Sequence, residues 1–234
     1  MSTQEVAEDG SAEFARKWWK ALMANACALI EDAAVLAEHS SPGRAQTLLV
    51  LAMEELAKAR WLYQAAEYQW SRPLGLYGQA PAASGPIMVP EQLRTNGQPH
   101  LQKLQAAEQY ASGLGGFWHA DRRHEYYFPA DLDTFESAAR RRNLDKQSGL
   151  YVDRRGEEVL SPLAIPAGGI GDFIVLADQA VEMQLIADHT RQQDAPEGAP
   201  IDSSQDLHWV VLPFAHPEEY TSFIRKQGAS DPRQ

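Results

Sequence analysis

In the first seventy residues, apolar side chains recur with helical spacing along two long segments, which a short break separates. Between Ser11 and about His39, apolar residues recur every three or four positions, which is the spacing of one face of a helix. The break is SSPG at residues 40–43, where Ser41 is suited to cap a second helix that begins at Pro42. That helix is predicted to run to about Trp70, and the short loop predicts that the two helices pack antiparallel.

Proline and glycine divide the middle of the chain. Residues 71–98 contain too many of both for a continuous helix, so we predict a long excursion there. A third helix is predicted over about 99–110, and the glycines at 113–116 are expected to end it. A further short helix is predicted over about 130–142.

The last third of the chain combines an extended segment, a helix and a tail. The sequence GLYVDRRGEEVLSP at 149–162 has two short β-leaning pieces, which predict a small hairpin or extended arm. A long core helix is expected from about Asp172, its expected cap, to Arg191. Together the patterns predict an all-α antiparallel helical bundle over residues 11–192 with a small extended arm. Residues 193–234 are predicted to be a linker and a short C-terminal appendage.

Composition excludes several classes of protein. The net charge is −11, which argues against a nonspecific nucleic-acid coat or a polybasic membrane binder. The single cysteine, Cys27, excludes an internal disulfide and a multi-cysteine zinc cluster, and it is interpreted as a small buried hydrophobe. No apolar run approaches the roughly 18 residues of a membrane span, and the polar opening lacks the order of a secretory signal. We therefore expect a soluble, cytoplasmic protein with no membrane contact.

Metal and nucleotide motifs give no support for a cofactor. A di-iron bundle needs Glu-x-x-His pairs, and Asp121-x-x-His124 is the nearest approach, in a segment interpreted as an exposed loop. Neither a phosphate loop nor a strand followed by Gly-x-Gly-x-x-Gly occurs. We therefore expect no metal and no cofactor.

Arginine-rich segments are the first candidates for contact with an RNA backbone. Arg122-Arg123, the triple arginine at 140–142 and Arg154-Arg155 are all basic enough for this. Solvated helix ends that carry cations are the commoner explanation for such runs, and we favour it.

The most suggestive group of residues lies between positions 94 and 103, and it comprises Arg94, Asn96, His100 and Lys103. His100 is expected near the start of a helix, where free backbone N–H groups favour an anion and disfavour imidazolium. A neutral His100 can then accept a proton, while Arg94 and Lys103 neutralise charge on a phosphate. An Arg–His spacing of this kind also arises by chance, so catalysis or phosphate binding and a simple capping role both stay open.

Residues of the second helix are candidates to support this group. Glu54, Glu55 and Lys58 lie on that helix, and Glu54 and Lys58 have the four-residue spacing of a favourable ion pair. The alternative, which we favour for these three residues, is a surface ion-pair ladder or a structural network that fixes the helix pair.

Three stretches of the sequence resemble the AbiV abortive-infection branch of the HEPN superfamily. The first, at residues 24–59, is an alanine-rich helix with a Glu-Asp pair, a short turn and a helix that ends in Met-Glu-Glu-Leu-x-Lys. The second is His100-x-x-Lys103-Leu104 at the start of a helix, and the third is GLYVD at 149–153 with Ser161-Pro162 after it. The resemblance covers most of residues 11–191 and implies a HEPN-like bundle.

The resemblance also implies an activity. Many members of the superfamily are metal-independent endoribonucleases that use an Arg, four to six residues, and then a His, with two protomers bringing their motifs together. Arg94 and His100 match this pattern with five residues between them. It implies a homodimeric phage-defence effector in which His100 is the base and Arg94 stabilises the transition state. We predict that Asn96, Lys103, Arg122 and Arg123 contact the RNA.

This sequence departs from the family pattern in the proline- and glycine-rich excursion just before Arg94 and in Thr95 after it. Abortive-infection members are also thought to bind proteins and block translation. The alternative is therefore a non-enzymatic helical protein that binds a phage or host protein through residues 71–98 or through the acidic tail.

Overall fold

The computed structural model describes residues 9–70, 86–94, 100–118, 134–191, 204–217 and 220–221. Most of these residues are in helices. Within these ranges the helices are α1 (Ala12–Glu38), α2 (Pro42–Trp70), α3 (Glu91–Arg94), α4 (His100–Trp118), α5 (Thr134–Ser148), α6 (Ile170–Arg191) and α7 (Gln205–Ala215). The strands are β1 (Asp9–Ser11), β2 (Pro86–Met88), β3 (Asp153–Arg155) and β4 (Glu158–Leu160). The predicted all-α class is confirmed. No helix in these ranges is long and apolar enough to cross a membrane.

The α1–α2 hairpin forms as the sequence predicts. The Oγ atom of Ser11 accepts the backbone N–H of Phe14 at 3.0 Å and caps α1. The buried stripe of α1 packs along the whole of α2. At the far end of the hairpin the rings of Trp19, Tyr63 and Trp70 have centroids 5.8–6.1 Å apart and close the core.

A buried ion pair ties α1 to α6. The guanidinium of Arg16 donates to both carboxylate oxygens of Asp188 at 2.7 and 2.9 Å. Its Cζ also lies 4.7 Å from the centre of the Trp19 ring. The hairpin and α6 are therefore joined by charge and aromatic contacts as well as by apolar packing.

Three helix boundaries differ from the prediction. Helix α4 continues through the glycines at 113–116 to Trp118, because Leu104, Ala107 and Ala111 bury its apolar face and offset the low helix propensity of glycine. Helix α5 is shifted toward the C-terminus and ends at Ser148. Helix α6 begins at Ile170, so Asp172 lies in its first turn and is not the cap.

The excursion predicted for residues 71–98 is partly regular. Residues 71–85 and 95–98 lie outside the described residues, whereas β2 pairs antiparallel with β1 in the register Asp9–Met88 to Ser11–Pro86. Ile87 at the middle of β2 is buried. Because β2 pairs with a strand more than seventy residues away, local sequence patterns could not reveal it.

The predicted hairpin at 149–162 is confirmed. Strands β3 and β4 pair in the register Asp153–Leu160, and Gly156 at the tip has φ of 63°, a conformation that suits glycine. Helix α7 lies within the predicted appendage and packs on α6 and α1, with Val211 in the core. The division of the chain at residues 192 and 193 stays a prediction.

Candidate anion-binding and catalytic site

Glu54, a buried carboxylate in the middle of α2, is the centre of a cluster of side chains from three helices. Oε2 of Glu54 lies 2.8 Å from Nδ1 of His100 and 2.8 Å from Nζ of Lys103, both on α4. Oε1 of Glu54 accepts from Nζ of Lys146 on α5 at 2.6 Å. We call Glu54, His100, Lys103 and Lys146 the Glu54 cluster.

The carboxylate of Glu54 is ionised despite its burial. Burial alone raises its pKa, but hydrogen bonds from Lys103, Lys146 and His100 outweigh that effect, and the net pKa is lowered. The negative charge at the centre of the cluster is therefore retained at neutral pH.

Two neighbours compete for Nδ1 of His100. The oxygens of Glu54 lie 2.8 and 3.0 Å from Nδ1 and accept a hydrogen bond from it, whereas Nζ of Lys146 lies 3.1 Å from the same atom and can only donate to it. The shorter contact with the ionised carboxylate favours the proton on Nδ1; Nε2 is then the acceptor of the neutral ring, and it makes no hydrogen bond with any described residue. The His100 side chain is 56% exposed, so the free nitrogen of this ring is accessible from solvent.

The cluster carries a net positive charge in an acidic chain. Two ammonium groups face one carboxylate, whereas the chain as a whole has a net charge of −11. The Lys103 and Lys146 side chains are only 11% and 6% exposed. The two ammonium groups are therefore largely covered, and His100 is the exposed member of the cluster.

Close packing between α5 and α2 positions Lys146. The hydroxyl of Thr47 on α2 donates to the carbonyl oxygen of Lys146 at 3.1 Å. A Cβ atom added to Gly149 would collide with Thr47 and with the backbone of Gly43. Gly149 therefore permits the close approach that brings Lys146 to Glu54.

The local sequence around Lys146 gives no sign of its place in the Glu54 cluster. Lys146 lies near the end of a strongly polar helix, and nothing in the local pattern distinguishes it from the solvated lysines of such helices. Its burial depends on a contact with Glu54, 92 residues earlier in the chain. The one signal present was Gly149 directly after the helix, which predicts a close backbone approach without indicating its partner.

Arg94 lies at the end of α3 and is not part of the Glu54 cluster. Its Nε donates to the carbonyl oxygen of Val89 at 2.6 Å, and it makes no ion pair with His100 or Glu54. Asn96, Arg122 and Arg123 lie outside the described residues, as do Asp121 and His124.

The other residues predicted to support the site divide into two groups. Glu54 is in direct contact with His100, whereas Glu55 and Lys58 pair with each other at 2.7 Å. The predicted Glu54–Lys58 pair is therefore wrong, because His100 and the ammonium groups of Lys103 and Lys146 already occupy the Glu54 carboxylate. Glu55 and Lys58 form a single partly buried ion pair, with side chains 19% and 24% exposed.

Two arginines of the run at 140–142 have structural partners. Arg140 pairs with Glu136 at 2.6 Å along α5, and Arg142 pairs with Glu108 at 2.9 Å while its guanidinium lies over Phe173. Arg154 and Arg155 are exposed on the hairpin.

Cys27 is buried, as predicted, and is not a nucleophile. Burial and the neighbouring Asp178 carboxylate raise the pKa of its thiol to about 12, so the reactive thiolate is not formed at neutral pH. In the part of the chain that the structure describes, no group of three or more His, Cys, Asp or Glu side chains is arranged to hold a metal ion.

Comparison with known proteins assigns the chain to a family. The family model HEPN_AbiV, described as AbiV, matches residues 14–182, which include Glu54, His100, Lys103 and Lys146. Comparisons with curated proteins and with solved structures gave no match. The matched range covers well over half of the chain and agrees with the all-α bundle. The chain therefore belongs to the AbiV family of HEPN proteins.

Proposed function

We propose that this protein is a phage-defence effector that binds RNA at the Glu54 cluster and cleaves its backbone without a metal ion. The family membership supports the defence role. The observation that carries the enzymatic part is the 2.8 Å contact between Nδ1 of His100 and the buried carboxylate of Glu54, which favours the tautomer whose Nε2 is an exposed proton acceptor.

The proposed chemistry is an internal transfer on the RNA backbone. Nε2 of His100 takes the proton of a ribose 2′-hydroxyl, and the 2′-oxygen attacks the adjacent phosphorus. The bond from phosphorus to the 5′-oxygen breaks, and that oxygen leaves with a proton from solvent. The products are a 2′,3′-cyclic phosphate and a 5′-hydroxyl end, so neither an oxidant nor a metal is required.

The cations near His100 stabilise the charge that develops on the phosphorane. Lys103 and Lys146 provide a fixed positive field beside the ring. Arg94 is the proposed contact to the phosphate. Its Nε donates to the carbonyl oxygen of Val89, so its two Nη groups are the ones proposed to bind the phosphate. Asn96, Arg122 and Arg123 are proposed as further RNA contacts, and the working unit is proposed to be a homodimer.

An RNA-cleavage assay in EDTA tests the proposal. Wild-type protein should give cyclic phosphate ends, and His100→Ala should reduce the rate by about 10²–10⁴-fold while the melting temperature and helicity are retained. His39→Ala is the matched control, because His39 is an exposed histidine that bonds only its own helix through Val35. Equal rates for wild type and His100→Ala would refute the proposed role of His100.

A second candidate function is binding of a protein partner, and one observation favours it. Large apolar side chains are exposed on and beside the hairpin arm: Leu144, Tyr151, Val152, Val159 and Leu163, each between 61% and 76%. If the protein acts only by such binding, Val159→Asp on the arm would abolish phage protection while His100→Ala would leave it intact.

A further inference from the structure

A groove between α2 and α4 lies next to the Glu54 cluster. Its volume is about 460 Å³, within the size range of small-ligand sites. The polar, aromatic and glycine residues that line it are Arg60, Trp61 and Gln64 from α2, and Gln109, Tyr110 and Gly113 from α4. The other lining residues, Ala57, Ala106 and Leu114, are apolar. Arg60 is therefore the one charged residue in the described lining of the groove.

Arg60 is held flat against one side of the groove. Its Cζ lies 3.4 Å from the centre of the Tyr110 ring, so the guanidinium stacks on the aromatic face. Its Nη1 also donates to Oε1 of Gln184 on α6 at 3.1 Å. Burial raises the pKa of the Tyr110 hydroxyl although Arg60 opposes this, so the phenol is neutral at physiological pH. These contacts fix a planar cation and a planar ring before a ligand arrives.

The groove offers the groups that recognise a nucleobase. Trp61 is half-buried and presents a second aromatic surface, on which a flat heterocycle can stack. Gln64 and Gln109 are exposed, and their amides both donate and accept hydrogen bonds, as the edge of a base requires. Gly113 leaves open space, since a Cβ added there meets no atom within 4 Å.

The groove begins one helical turn from the Glu54 cluster. Ala57 follows Glu54 by three residues on α2, and Ala106 follows Lys103 by three residues on α4. Three residues of helix correspond to about 5 Å along the axis. A single-stranded RNA with one base in the groove can therefore extend along α4 toward His100, with Tyr110 about 15 Å along the helix from it.

We infer that the groove between α2 and α4 is a nucleobase-binding site, formed by Trp61, the Arg60–Tyr110 stack and the two glutamine amides. The occupant is one unpaired base of a single-stranded RNA whose backbone lies at the Glu54 cluster. The identity of this occupant rests on the proposed function, whereas the recognition of a base rests on the groove itself.

Nucleosides test the groove without involving a phosphate. The indole N–H resonance of Trp61, assigned by Trp61→Phe, should shift when adenosine, guanosine, cytidine or uridine is added at millimolar concentration. Gly113→Met fills the open space with a side chain and should abolish the shift, while Trp209→Ala on the exposed side of α7 should not. If none of the four nucleosides shifts the Trp61 resonance, the inference is overturned.

RNA binding separates the failure of this inference from the failure of the proposed function. Affinity for a fluorescein-labelled, eight-nucleotide single-stranded RNA should fall about 10-fold in Trp61→Ala and in Gly113→Met. If both variants bind like wild type while Lys146→Met binds more weakly, the groove is not a base site and the proposed function stands. Binding of nucleosides by a protein that does not bind RNA would support the groove and refute the proposed function.

Discussion

The Nδ1 atom of His100 lies 2.8 Å from a carboxylate oxygen of Glu54, a residue 46 positions earlier and on a different helix. The carboxylate is buried and ionised, whereas the histidine is half exposed. This pair joins the interior of the bundle to its surface. The buried Glu54 carboxylate orients the His100 ring, and Nε2 of that ring faces solvent. The stability of the bundle and the proposed chemistry therefore depend on the same residue, Glu54.

Glu54→Gln tests this dependence directly. The substitution leaves two buried ammonium groups without their common counter-ion, so we expect the free energy of unfolding to fall by about 3–5 kcal/mol. Urea denaturation measures the loss, and nitrogen NMR of the His100 ring measures the tautomer: the share of rings with the proton on Nδ1 should be lower in the variant than in wild type. Glu55→Gln, which breaks only a half-buried pair with Lys58, should cost about 1 kcal/mol or less. Equal losses in the two variants would contradict the central role of Glu54.

The lowered pKa of Glu54 predicts a dependence of stability on acid pH. A group whose pKa is lower in the folded state contributes stability above its unfolded pKa, about 4.3 for glutamate. That contribution is lost as pH falls through the lowered folded pKa. Urea denaturation from pH 7 to pH 3 should therefore show a steeper loss of stability below about pH 4.3 in wild type than in Glu54→Gln. Parallel curves for the two proteins would show that Glu54 is not stabilised as a carboxylate.

Asp178 should have the opposite pH behaviour. Burial and the neighbouring Glu182 raise its pKa well above the ordinary value, so its contribution to stability is present at low pH and is lost as pH rises through the folded pKa. Asp178→Asn removes the cost of a buried charge, and we expect a gain of about 1–3 kcal/mol at pH 7. Thermal melts at pH 7 and at pH 4 check this, because the gain should shrink at the lower pH. A destabilised Asp178→Asn protein at pH 7 would contradict the prediction.

Gly149→Ala tests how Lys146 reaches Glu54. The added methyl group collides with Thr47 and Gly43, so the end of α5 must move away from α2. We expect a loss of about 1–3 kcal/mol in unfolding free energy, together with weaker RNA cleavage because Lys146 is displaced. Gly168→Ala is the control, since a Cβ added there meets no atom within 4 Å. Wild-type stability for Gly149→Ala would mean that the close packing does not position Lys146.

Local sequence patterns predicted the parts of the fold that local interactions determine. The ends of α1 and α2 and the hairpin at 153–160 follow from apolar periodicity, a serine cap and turn residues. The prediction failed where packing outweighs propensity, as in α4, which continues through Gly113 because its other face is buried. A strand such as β2 cannot be predicted from its own residues, because its partner is at the start of the chain.

The candidate site was predictable in part for the same reason. His100 and Lys103 could be found because they lie close together near the start of one helix, and Glu54 because it shares a motif with its neighbours. Their mutual contact, the pairing of Lys58 with Glu55 and the presence of Lys146 depend on how three helices pack. Side-chain chemistry therefore identified candidates, and only tertiary structure identified which of them act together.

The pairing of β1 with β2 connects the beginning of the chain to the segment that leads into the site. Residues 9–11 hold residues 86–88, and the chain then passes through α3 and Arg94 before it reaches His100. Removal of the first eleven residues would take away a hydrogen-bonding partner of this lead-in segment as well as the serine cap of α1. A tag fused before β1 is therefore best kept clear of Asp9, because it would otherwise disturb both the cap of α1 and a strand pair that joins positions more than seventy residues apart.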